Sequence, residues 1–348
     1  MISQTPATHS TPTARAKRIR KRTLYIPVLS GLLVLVMVAS LAVGAVPLPI
    51  ARVLRLLFSP TAPGTDIMEV TIIWDIRSGR ILLAALIGAG LATAGAALQG
   101  LFRNPLADPF VVGAASGAAL GATLAIITGV GPIPLAAFVG AMLAVAAVFG
   151  IAEIGGSTPV IALLLAGAAL STFLLAVVSL LMLIHDQNLS AVFVWLLGGL
   201  SGRSWPHLWA SLPYISTGVG ALWLLARPLD ALAFGNETAR SLGLPLPWAR
   251  GAIIAAASLA TAAAVAAGGT IGFVGLIAPH TARLLVGANH TRLIPASALI
   301  GALLLLLADD VARTVMAPLE LPVGIVTAML GGPFFLYLLK TRQRELGA

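Results

Sequence analysis

The chain has 348 residues, 59% of them hydrophobic and only 9% charged, with a formal net charge of +9. A soluble domain is about a quarter charged, so a water-soluble fold is excluded and a membrane protein is indicated. The absence of cysteine excludes a disulfide framework and thiolate metal sites. The positive balance reads as topology and attraction to membrane lipids, with no nucleic-acid partner implied.

In chain order, residues 1–23 form a basic tail carrying Arg15, Lys17, Arg18, Arg20, Lys21 and Arg22 with no acid, which places it in the cytoplasm. A basic tail ahead of an apolar stretch also describes a cleavable secretory signal, but 24–46 is longer than a signal core. Charge-poor runs long enough to cross a bilayer, about 20 residues at ~1.5 Å each, follow at 23–51, 81–102, 109–152, 154–185, 204–226, 251–282, 293–308 and 321–339. Gly129, Gly131, Pro132 and Pro134 divide the third run, and Gly268-Gly269 divides the sixth. The expectation is an all-α polytopic protein with ten transmembrane helices within 24–340. Residues 341–348 then form a cytoplasmic C-terminal tail. The short apolar piece 189–200 suits an interfacial or re-entrant helix. Alternating the loops leaves all but six of the 21 basic residues inside, the exceptions being Arg52, Arg55, Arg77, Arg80, Arg203 and Arg313. Trp74, Trp195, Trp205, Trp209, Trp223 and Trp248 all fall near expected span ends, where an amphipathic ring prefers the headgroup level.

Three stretches stand out. ALQGLFRNPLADPF, 97–110, interrupts apolar sequence with polar residues and with Pro105 and Pro109, which cannot continue a helix and restrict the residues before them. In ARPLDALAFGNETARSLGLPLPWARG, coupling segment 227–250 included, Asn236 can cap a short helix. Glu237 suits its positive end, Arg240 its negative end, and Gly243 can terminate it. Ala239 and Leu242 would then share a face, as in a docking element or a helix lying on the bilayer. In LLLLLADDVART, Asp309 and Asp310 can both reach Arg313, four and three residues on.

What is missing matters as much. The helix centres carry no ionisable residue, which argues against an ion-coupled carrier. His185, His280 and His290 do not cluster as metal ligands. The lysines are Lys17, Lys21 and Lys340, none after glycine, so no phosphate-binding loop exists here and any ATPase is a separate chain. HExxH and GxSxG are absent as well.

Taken together, AGAALQGLFRNPLADP, SGAALGA, LLAGAAL, WLLGGLSGRSW, ALAFGNETARSLGL, GTIGFVGLIAPHTARLLVG, PASALIGALLLLLADDVART and ELPVGIVTAMLGGPFFLYLL resemble, in order, the permease subunit of FecCD-type ABC importers of iron-siderophore complexes, haem and cobalamin. The resemblance implies a homodimer in the bacterial cytoplasmic membrane with both termini inside. Two ABC ATPase subunits use ATP and Mg, and a periplasmic or lipid-anchored substrate-binding protein completes the system. The permease itself is no enzyme, binds no cofactor and moves a ferric siderophore, haem or cobalamin by alternating access. An inverted repeat relating helices 2–5 to 7–10 is implied too. Residue by residue, Gly235, Asn236, Glu237, Ala239, Arg240, Leu242 and Gly243 match the ATPase-coupling helix. Asn104, Leu106, Ser157 and Thr158 match the cytoplasmic gate. Arg77 and Arg80, in WDIRSGR where the family has RLPR, match docking arginines together with Arg313, which Asp309 or Asp310 can instead engage.

Overall fold

A computed structural model describes residues 12–59, 66–153 and 160–346. Its helices are α1 (Pro12–Ala42), α2 (Ile50–Phe58), α3 (Ile67–Thr71), α4 (Gly79–Leu101), α5 (Ala114–Thr128), α6 (Ile133–Ala152), α7 (Val160–Ile184), α8 (Leu189–Leu196) and α9 (Trp205–Leu224). They continue with α10 (Ala226–Ala233), α11 (Asn236–Ser241), α12 (Leu246–Gly268), α13 (Val274–Val286), α14 (His290–Ala312) and α15 (Val323–Leu346). A π-helical stretch, Ile72–Ser78, joins α3 to α4, and a 3-10 turn, Pro109–Val112, leads into α5. No strand occurs among the described residues, as expected where backbone groups must be satisfied within the segment itself.

The punctuation read from sequence holds. α5 ends at Gly129 with φ +65°, Pro132 precedes α6, and α12 ends at Gly269 with φ +73°. These left-handed positions suit glycine, which has no Cβ to oppose them. Among the described residues six helices are long and apolar enough to cross a membrane, or seven if α9 and α10, bent by 54°, count as one. The remaining expected spans fall on α5, α13 and Val323–Leu338 of α15, which are apolar but shorter. The second span also begins earlier than expected, its helix running without a break from Ile67 to Leu101.

α4 is the axis of the bundle. All its residues except Leu82, Leu86 and Ala89 are buried, and it packs against α9, α12, α13 and α14. Its contact with α14 is closest at Gly88 and Gly301, where a Cβ on either residue would run into the other's backbone carbonyl. Gly117 and Gly140 bring α5 and α6 together in the same way. Lipid tails are as apolar as leucine, so helices in a membrane associate by close packing, and small residues permit it. Two buried hydroxyls are satisfied along their own helices, Thr93 donating to the Ala89 carbonyl at 2.7 Å and Thr261 to that of Ala257 at 2.8 Å. Apolar faces remain outside: on α7 only Leu163, Gly167 and Val178 are buried.

Gly301→Leu should therefore force α4 and α14 apart at a cost of at least about 3 kcal/mol. Thermal unfolding in detergent should show a clear loss of stability, whereas Gly251→Leu, facing open space, should leave the melting temperature nearly unchanged.

Candidate functional site

At the C-terminal end of α4 the chain turns through 102–113. Arg103 adopts φ +50°, and the Asn104 backbone amide donates back to the Gln99 carbonyl at 3.1 Å. The Asn104 side-chain oxygen accepts from Leu106 N at 3.0 Å, and the Asp108 carboxylate accepts from Phe110 N at 2.8 Å, capping the 3-10 turn. Two such side-chain turns flanked by Pro105 and Pro109 leave few free dihedrals. Asn104 is exposed and Leu106 half-buried. Burial pushes the Asp108 carboxyl up to about 6 against the pull of its Phe110 hydrogen bond. Gln99 anchors the turn to α13, donating to the Gly275 carbonyl at 3.3 Å and accepting from Arg283 at 3.2 Å. Ser157 and Thr158 lie outside the described residues.

Beside this turn stands an arm made of α10 and α11. α10 was not anticipated as a separate helix; it buries Leu229 and Leu232. Asp230 fixes it to the start of α14, accepting from His290 N at 2.9 Å and pairing with His290 Nδ1 at 2.6 Å. The His290 ring covers Gly100, where a side chain would collide with it. α11 departs from the expected cap. Gly235, at φ +119°, holds the cap position, and Asn236 is the first helical residue, its side-chain oxygen accepting from Arg250 at 2.8 Å. Glu237 and Arg240 occupy the expected ends. Gly243, at φ +77°, closes the helix by donating to the Arg240 carbonyl at 2.8 Å while Leu244 N donates to that of Ala239 at 3.0 Å. The shared face of Ala239 and Leu242 is corrected: Ala239 is fully buried against the bundle and Leu242 is 70% exposed. Phe234, which no motif marks, is 80% exposed on the same arm.

At the opposite end of α4 the three arginines come together, but inward. Arg77, Arg80 and Arg313 are each less than a tenth exposed. Arg77 donates to the Leu41 carbonyl at 2.7 Å and to that of Val46 at 2.6 Å, wrapping the end of α1. Arg80 forks onto Asp309, with contacts of 2.9 and 3.0 Å, and reaches Glu320 at 2.9 Å. Arg313 pairs with Asp310 and donates to the Ser40 carbonyl at 2.7 Å, while the Ser40 hydroxyl donates to Asp310 at 2.6 Å. The three arginines matched to docking are thus engaged within the chain, and each guanidinium has internal partners that offset its loss of water. Of the two expected partners of Arg313, Asp310 pairs with it, whereas Asp309 pairs with Arg80. Glu320 carried no sequence signal, since it lies 240 positions from Arg80.

The chain has relatives along almost its whole length. Residues 32–341 match the FecCD transport family. The cobalamin import system permease protein of Halobacterium salinarum is 45% identical over 291 residues, covering 82% of this chain and 78% of its own. The Fe(3+)-citrate import system permease protein of Bacillus subtilis is 39% identical over 337 residues, 95% of this chain and 99% of its own. The hemin transport system permease protein of Yersinia pestis is 42% identical over 284 residues, 78% of this chain and 84% of its own. Among solved structures, a metal-chelate type ABC transporter in an inward-facing conformation superposes with a TM-score of 0.81 at 34% identity, covering 92% of this chain and 99% of that one.

Two measurements check the electrostatics. Arg80→Ala, which strands the buried Asp309, should lose about 3–5 kcal/mol, whereas breaking the half-exposed Arg52–Glu69 pair with Arg52→Ala should lose under ~1 kcal/mol. For Asp108, a native value near 6 against the usual 3.8 means that ionisation opposes the fold, so its contribution is present at low pH and lost as pH rises through 6. Melting curves of Asp108→Asn should lack that fall.

Proposed function

We propose that this chain, which belongs to the FecCD transport family, works as the membrane-spanning permease of an ABC importer for a bulky metal chelate. Membership implies a multi-pass membrane protein, with ATP hydrolysed in a partner ATPase and substrate handed over by a binding protein. Our reading of the substrate favours a ferric chelate of the siderophore type. The 45% identity to the halobacterial cobalamin permease makes cobalamin the second reading, and haem follows.

The observation that carries the mechanical part of this reading is the α10–α11 arm. It exposes Phe234, Glu237, Arg240 and Leu242, while its root is fixed to α14 by Asp230 and His290. Exposed apolar side chains on a capped helix favour a protein partner, and the fixed root passes displacement of the arm to the α4–α14 pair. By the positive-inside argument this end faces the cytoplasm, which supports ten spans with both termini inside. α5 and α13, short helices that each follow a residue with positive φ, Gly113 and Phe273, stand at corresponding places in an inverted repeat of helices 2–5 and 7–10. The outward apolar face of α7 suits a homodimer with the pathway between its two copies. Asn104 and Leu106, with Ser157 and Thr158, serve as the gate: the braced 102–113 turn moves as one piece with α4. A binding protein docks at the Arg80 end, and docking through Arg77, Arg80 or Arg313 requires their internal pairs to open.

The direct test is reconstitution in liposomes with the cognate ATPase and binding protein, measuring accumulation of a labelled ferric siderophore, haem and cobalamin. ATP-dependent uptake of one of them is expected; uptake that follows an ion gradient without ATP would refute the reading. Glu237→Arg combined with Leu242→Asp should leave the permease folded but reduce ATPase copurification and uptake at least about tenfold, since charge reversal at a helix start and an added carboxylate both oppose docking. Asn104→Cys supplies a lone thiol whose labelling from the cytoplasmic side should differ between nucleotide-free and ATP-trapped states. Identical labelling in both states would reduce the turn to a connector.

A further inference from the structure

At the Arg80 end a cavity of about 500 Å³ opens between the end of α5, the start of α6, α8 and the 197–204 loop, with Ile126, Ile133, Val194, Trp195, Ser201 and Arg203 among its walls. Small-molecule sites commonly hold roughly 300–1,000 Å³ and combine apolar walls with a few placed polar groups. The loop is firmly seated: Ser204 and Trp205 abut Gly79 at the start of α4, and Gly199 N donates to the Gly268 carbonyl at 2.8 Å.

Arg203 is the one charged residue lining this cavity. Arg77, Arg80 and Arg313 at the same end all bind carboxylates or carbonyls. Arg203 is half-buried, and among the described residues its guanidinium meets neither. Burial alone pushes its pKa below the ordinary value, and a guanidinium stays charged regardless. The Trp195 ring stands in the same wall. Partly dehydrating a cation with no counter-charge is costly, and an incoming anion would relieve it.

We propose that Arg203 and Trp195 form a recognition subsite for an anionic oxygen group, carboxylate or phosphate, on the chelate being imported. The planar guanidinium fork takes two oxygens at once, the indole adds an aromatic wall, and the apolar cavity receives the body of the ligand. This deepens the importer reading and rests on it. Ferric citrate and haem present carboxylates and cobalamin a phosphodiester, so all three carry the required chemistry.

The test uses the full chain in lipid nanodiscs. Because the chain has no cysteine, Ala191→Cys on the cavity wall can carry an environment-sensitive fluorophore, titrated with ferric citrate, haemin and cyanocobalamin. The probe that reconstituted vesicles accumulate should shift the emission. Arg203→Gln should weaken its binding about 10- to 100-fold, the range for hydrogen bonds to a charged group, and Arg203→Lys should restore part of it. Trp195→Phe should cost less. Ser201→Asp, which offers Arg203 a carboxylate, should weaken binding in competition and guards against a folding defect peculiar to loss of the arginine. Ferric citrate or haemin as the bound probe identifies a carboxylate ligand, and cyanocobalamin a phosphate. Uptake of one probe with no emission shift, or with equal affinity in Arg203→Gln and Ser201→Asp, overturns the subsite and leaves the importer reading standing. Uptake of none overturns both.

Discussion

The contact of α4 with α14 at Gly88 and Gly301 sets the spacing of the molecule. In hydrocarbon there is no water to drive apolar faces together, so two helices stay in register only if their backbones come close enough for dense dispersion contact. A bare hydrogen in place of a side chain on both helices allows this. α9, α12 and α13 then pack around α4, and the axis is buried over nearly its whole length. What remains exposed, chiefly on α1 and α7, is apolar, which is the surface a lipid bilayer or a second copy requires.

With the middle of α4 free of charged groups, charge collects at its two ends, and the ends are built differently. Around Arg80 the bonds are ionic and doubled: Asp309 and Glu320 share one guanidinium, and Arg77 and Arg313 secure the end of α1. Around Arg103 the bracing comes from side-chain turns, the Gln99 contacts and one His–Asp pair holding the α10–α11 arm. Buried, multiply paired arginines resist rearrangement because opening one leaves a bare charge. An arm seated by one His–Asp pair, the Arg250–Asn236 hydrogen bond and the buried Leu229, Leu232 and Ala239 can move as a body. This asymmetry suits a machine pushed from one end by a partner that hydrolyses ATP and loaded from the other. Arg203 stands apart from both arrangements, an arginine at the ionic end with no described counter-charge.

Much was readable from the chain alone. Composition identified the membrane as solvent, and glycine and proline at 129–134 and 268–269 marked where long apolar runs break, because backbone punctuation acts on immediate neighbours. Gly243 was legible as a helix terminator for the same reason, and the ordered motif blocks carried the family. The span count was less legible, since α5 and α13 are shorter than a bilayer and only their packing gives them a place in the bundle.

The partners of charged side chains were legible only where they are near neighbours, as in Asp310 and Arg313. Local spacing put Asp309 and Asp310 both on Arg313, yet Asp309 belongs to Arg80, 229 positions away. Asn236 had the chemistry of a cap and instead receives Arg250, and Ala239 and Leu242, near neighbours in sequence, ended one inside and one outside. Sequence determined where the long apolar runs break and which solvent they face, because those depend on residues within a turn or two; the early start of the second span at Ile67 and the separate helix α10 were not marked in that way. Which arginine meets which carboxylate, and so which cation is left over to meet a ligand, depends on which helix ends are carried to the same place, and only the packing of α1, α4, α14 and the 313–322 loop decided that.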